Sequence, residues 1–231
     1  MLEAVAATAV GSLDLPQIVL AIGGLGTAAY GFVDVSKSFW GGVSNRGFGD
    51  IKKVVSKFIS SDSRSALGLS SVLATLRANW LNGMVLADQK AIAKALIKLN
   101  LTDASSETMA NATGVNVGVL KSVADKLASG EGLNQAETDV YGRFDLLLSE
   151  MLDQGYQRAD QRYRNSAKLL AVPVAVVLAL LGAWAIAGEN LTSADAWRAC
   201  IAGLLATPLA PIAKDLSSAI QAGAKVAQTW K

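Results

Sequence analysis

Histidine is absent from the 231 residues, which removes the commonest general base, the commonest zinc ligand and the usual haem ligand. Hydrolase triads, zinc sites and His-ligated haem are excluded, and no cofactor is expected. A single cysteine, Cys200, rules out an intramolecular disulfide; it lies in an apolar run, where it reads as a small buried hydrophobe. Charged residues make up only 17% of the chain and their sum is +2, too little to argue for nucleic acid. No alternating run of β-branched residues indicates a strand.

Apolar residues are abundant, at 52%, and the mean hydropathy is +0.35, above what a soluble domain of this size carries. The excess lies in three stretches. Between Asp14 and Asp34 run 19 uncharged residues, about 28 Å of helix, close to the thickness of a bilayer core. Asp14 or Ser12 supplies an N-cap and Pro16 fits the first turn. A cleaved signal peptide is disfavoured by a leader with acids and no Lys or Arg. The second stretch, Leu169 to Gly188, holds 20 uncharged residues with a kink expected at Pro173. The third, Ala199 to Ala213, has 15 and contains Pro208 and Pro211, leaving a full span or a re-entrant hairpin open.

The expected fold is all-α: a polytopic membrane protein with three hydrophobic segments and a cytoplasmic helical domain inserted between the first and second. The divisions are an external leader over 1–13, a transmembrane helix over 14–35, a Gly/aromatic turn over 36–48, and a helical domain over 49–165. A second transmembrane helix over 166–188, a short external loop over 189–196, a transmembrane or re-entrant helix over 197–213 and an interfacial tail over 214–231 complete the chain. Orientation follows the Lys and Arg flanks, because positive loops stay in the cytoplasm. The leader and the loop between the last two segments carry none, whereas residues 36–168 hold 17 of the 21 basic residues against 13 acids. The N-terminus is therefore expected outside and the domain inside, in the cell inner membrane.

Helical spacing predicts helices over 49–60, 64–82, 85–99, 105–112 and 116–128, then one long helix from Gln135 to about Ala187. Asn134 with Glu137 makes a capping box at its start. Phe39, Trp40, Phe48 and four glycines mark a sharp redirection between membrane and domain.

Gly23, Thr27 and Gly31 form a small-residue face suited to helix packing, against the second segment of the same chain or the first of another copy. GGLG at 23–26 is no phosphate loop, since it lies inside an apolar segment and no Walker lysine follows. Trp40, Arg158, Arg162, Arg164, Lys168, Trp197 and Trp230 read as membrane-interface anchors, the basic ones holding anionic headgroups. Residues 107–127 have a helix-turn-helix-like pattern around Gly114, but the second helix offers Asn116, Lys121 and Lys126 with no arginine, so nucleic acid is a weak expectation. A calcium loop at 125–137 fails because Leu127 and Ala136 occupy ligand positions. Glu150 and Asp153 read as a solvated face, and Asp34 as a helix-end acid.

The expected function is a non-enzymatic membrane scaffold or assembly subunit whose partners are the anionic bilayer and copies of itself or another membrane protein. A channel or transport subunit with an oligomeric pore, and a membrane-tethered regulator using 107–127, are the alternatives. With three apolar segments, the chain should remain in the membrane pellet after alkaline carbonate washing and should be released by detergent. Release by carbonate alone would contradict integration.

Overall fold

The computed structural model describes residues 14–36, 41–60 and 67–229, all-helical with no strand among them. The chain divides into two compact units, an inserted unit of Val43–Arg164 and a second made from Met1–Gly42 and Asn165–Lys231. The leader over 1–13, Trp40 and Trp230 lie outside the described residues.

The second unit contains α1 (Leu15–Val35), the end of a long helix α7 (Gln135–Ala187), and α8 (Ser193–Thr229). A single 3-10 turn, Gly188–Asn190, links α7 to α8, with Gly188 at φ +56°. All three helices contain stretches long and apolar enough to cross a membrane. Asp14 precedes α1 in extended conformation and Pro16 occupies its first turn, but the Asp14 side chain makes no capping bond. The packed surface is made of small residues: Gly23, Gly26 and Ala29 on α1, Ala167, Ala171 and Ala175 on α7, and Ala199, Ala206, Ala210 and Ala213 on α8. Large residues such as Phe32, Leu169, Leu181, Trp184 and Leu204 point outward. This is the expected distribution for helices in lipid, where close backbone approach replaces hydrophobic burial as the source of association.

The third segment lies within one long helix. α8 is 37 residues long, about 55 Å at 1.5 Å per residue, and passes through both Pro208 and Pro211. Each proline removes one backbone hydrogen bond but does not end the helix, a tolerance common in apolar surroundings. The expected tail over 214–231 is likewise part of α8 as far as Thr229.

The inserted unit contains α2 (Ser44–Val55), α3 (Leu69–Leu81), α4 (Leu86–Leu99), α5 (Asp103–Thr113), α6 (Val117–Ser129) and the first part of α7. Phe144, Leu148, Leu152 and Tyr156 recur every four residues on α7 and are at most 2% exposed. They meet Ile51, Val55 and Phe58 near α2, Leu76 of α3, Ile97 of α4, Met109 of α5 and Leu120 of α6 in one core. Each large apolar side chain so enclosed contributes about 1.5–3 kcal/mol. Thr102 and Ser105 form a reciprocal cap on α5, and Asn116 caps α6 through a 3.0 Å bond from Val119 N–H.

α2 starts at Ser44, inside the stretch expected to be a turn over 36–48. Just before it, Gly41 and Gly42 take positive φ, +78° and +43°. Gly47 serves close approach instead: a methyl there would lie 2.5 Å from the Ala159 carbonyl oxygen and 2.9 Å from the Trp80 ring. Trp80 is fixed by a 3.0 Å hydrogen bond from Nε1 to the Ser44 carbonyl.

Leu148→Ala should cost about 2–5 kcal/mol, whereas Leu146→Ala, two residues away at 71% exposure, should cost less than about 0.5 kcal/mol. Native-state hydrogen exchange of residues 43–164 measures the difference.

Candidate functional site

The glycines of α1 fall on two faces. Gly23 and Gly26 are buried against α8: a methyl on Gly23 would collide with Ala213, and one on Gly26 with the Ala206 carbonyl and Ala210. As the position rises on α1 it falls on α8, so the pair is antiparallel. Gly203 gives α7 the same access on the N-terminal side, where an added methyl would lie 2.5 Å from Val176 Cα. Within the chain the seam therefore runs through Gly23 and Gly26, and its partner is the third apolar helix. Thr27 and Gly31 are exposed, and the Thr27 hydroxyl donates back to the Gly23 carbonyl at 3.1 Å. Gly24 and Gly31 have open space where a side chain would be.

Gly26, Gly203, Ala206, Ala210 and Ala213 escaped the sequence reading. Their signal was a run of small residues at three- and four-residue spacing on the third segment, Ala199, Gly203, Ala206, Ala210 and Ala213.

The expected anchors differ in their surroundings. Arg158 and Lys168 are exposed. Arg162 Nε lies 3.1 Å from Asp50 Oδ2 on α2, and Arg164 Nε is 2.8 Å from Asp160 one turn earlier on α7. Trp197 opens α8 at 67% exposure. Thr192 and Asp195 close the α8 start, with Asp195 N–H donating to Thr192 Oγ1 and the Thr192 hydroxyl donating to Asp195 at 2.6 Å.

The carboxylates and lysines between α4 and α7 are paired. Lys94 and Lys98 both donate to Asp145, at 2.5 and 2.9 Å, and Lys90 pairs with Asp153. Burial opposes the charge on Asp145, but hydrogen bonds from the two lysines outweigh it and lower its pKa. Lys98 also lies 4.8 Å from the Tyr141 ring centre. Asp153 thus belongs to an interhelical pair instead of a freely solvated face.

Glu137 is the most constrained acid. It accepts hydrogen bonds from Lys126 at 2.8 Å, from Asn134 N–H at 2.8 Å and from the Ser122 hydroxyl at 2.7 Å. Asn134 Oδ1 accepts from Glu137 N–H at 2.9 Å, completing the capping box. These donors, Lys126 foremost, lower the Glu137 pKa to about 2.

In the helix-turn-helix-like stretch, α5 and α6 are joined through Gly114 at φ +71°. Both lysines of the second helix are held by carboxylates of the same unit, Lys121 by Asp103 at 2.9 Å and Lys126 by Glu137. Among the described residues, no three Cys, Asp or Glu side chains converge as a metal ligand set. Compared with family models, curated proteins and solved structures, the chain finds no match.

The Glu137 shift has a definite sign. Its folded pKa lies below the unfolded value of 4.5, so its contribution is complete above about pH 4.5 and declines as pH falls toward about 2. Glu137→Gln should remove part of the stability at neutral pH and flatten the stability profile between those limits. An unchanged acid profile in the variant would contradict the assignment.

Proposed function

We propose that the chain is a non-enzymatic integral membrane scaffold, an assembly subunit that associates with copies of itself or with another membrane protein. Its inserted unit lies in the cytoplasm beneath the cell inner membrane. The observation that carries this reading is the division of α1 into two glycine faces, one filled by α8 and the other, Gly24 with Thr27 and Gly31, unoccupied. Glycine weakens a helix by about 1 kcal/mol relative to alanine, so an open glycine face gains its value only when another helix approaches it. The pairing of carboxylates and lysines around α4, α6 and α7 supports a structural role for the inserted unit, since those charges are engaged in holding helices together. The distribution of Lys and Arg around the apolar segments supports the cytoplasmic placement.

Light scattering of the detergent-extracted chain should give a mass above the monomer. Gly24→Leu with Gly31→Leu should move it toward monomer without disturbing the α1–α8 seam, whereas Gly26→Leu should disrupt that seam. A monomer at every concentration would overturn the scaffold reading. For orientation, Ser129→Cys in a Cys200→Ser background should react with a membrane-impermeant maleimide only after cells are permeabilised. Labelling in intact cells would reverse the topology.

A further inference from the structure

The charges of the inserted unit and the first turns beyond it are segregated. Residues 43–82 and 154–168 together carry ten Lys or Arg and three acids, whereas residues 83–153 carry six Lys or Arg and ten acids. Their pairing differs as well. Within 83–153, Lys90, Lys94, Lys98, Lys121 and Lys126 all sit in ion pairs, Arg143 alone not; in the second group, Arg162 and Arg164 are paired but Arg46, Lys52, Lys53 and Arg158 are exposed and pair with no acid among the described residues. Packing brings the elements bearing the second group together. Gly47 of α2 lies against Ala159 of α7, Arg77 of α3 donates to Asn45 Oδ1 of α2 at 3.0 Å, and Arg162 of α7 meets Asp50 of α2.

We propose that this surface, made by α2, the end of α3 and residues 155–164 of α7, is a docking face for anionic phospholipid headgroups. It deepens the membrane reading above and rests on it. Two features favour a lipid surface over nucleic acid. Arg158, Arg162, Arg164 and Lys168 precede, in sequence, the apolar stretch beginning at Leu169, Arg164 by only five residues. Trp80, among the basic residues, is also engaged: it is buried, and its ring meets Tyr163 edge-on with centroids 6.3 Å apart, so it offers no exposed platform for base stacking. Unpaired cations held on a packed scaffold suit a diffuse sheet of phosphates, which asks for charge density without a shaped pocket.

The test uses the full chain in nanodiscs of phosphatidylcholine alone or of equal parts phosphatidylcholine and phosphatidylglycerol, with amine-reactive labelling read by mass spectrometry. Labelling of Lys52 and Lys53 should slow several-fold in the anionic discs, while that of Lys90, Lys94 and Lys98 stays constant. The protection should vanish in about 1 M NaCl, where the Debye length is about 3 Å. Arg46→Glu, Arg77→Glu and Arg158→Glu combined should abolish it, at about fivefold per cation, and the three corresponding Arg→Lys changes should restore it. Equal labelling in both discs would overturn the proposal. Protection by added oligonucleotide in neutral discs, without protection by anionic lipid, would overturn it in favour of nucleic acid. Failure of the chain to incorporate into discs would overturn the membrane reading itself, an outcome seen before any labelling is read.

Discussion

The second unit depends on how closely α8 lets other backbones approach. Helices in a bilayer gain little from hiding leucine from lipid, because lipid is as apolar as leucine. What remains is dispersion between surfaces that fit, and α8 presents glycine and alanine to both neighbours: Gly203 to α7, and Ala206, Ala210 and Ala213 to α1. The outward placement of the large side chains follows, since any of them at the seam would hold the backbones apart.

The inserted unit works by a different balance. Its core is aromatic and aliphatic, drawn together around the four-residue stripe of α7, and water supplies the driving force. Around that core the ion pairs fix the lateral position of α4 and α6 against α7, a role suited to Asp145 and Glu137 because each accepts from more than one donor. On the α2 side Arg46, Lys52, Lys53 and Arg158 pair with no acid among the described residues, whereas every lysine of α4 and α6 is held by a carboxylate.

Much of this was legible in the sequence. The start of α7 at Gln135 follows from Asn134 and Glu137, and its length from an unbroken helical pattern ending in apolar residues. Two features are not separable in the sequence, for physical reasons. Gly41 and Gly42 take positive φ while Gly47 admits a neighbouring backbone, and a row of letters does not distinguish a glycine needed for its φ from one needed for its missing methyl. Pro208 and Pro211 leave the continuity of the third segment open, because proline ends helices exposed to water, and α8 continues through both. Likewise, glycines at 23, 24, 26 and 31 define overlapping faces, and only the alanines across the interface select Gly23 and Gly26. Alanine is equally at home facing lipid, so only the three- and four-residue spacing of small residues on the third segment marks those positions. The docking face was partly visible, as basic clusters flanking two apolar segments, but their convergence through Gly47, Asn45 and Asp50 required the fold.

Because α8 supplies the surface that both other apolar helices use, the order of synthesis matters. Gly26 and Ala206 are about 180 residues apart, a delay of roughly 10–40 s at ribosomal rates of about 5–20 residues per second. Throughout that interval α1 has no α8 to pack against, while the inserted unit, whose residues are Val43–Arg164, is complete about 40 residues before Ala206 is made. The second unit closes last, and until then both glycine faces of α1 are open to any neighbour.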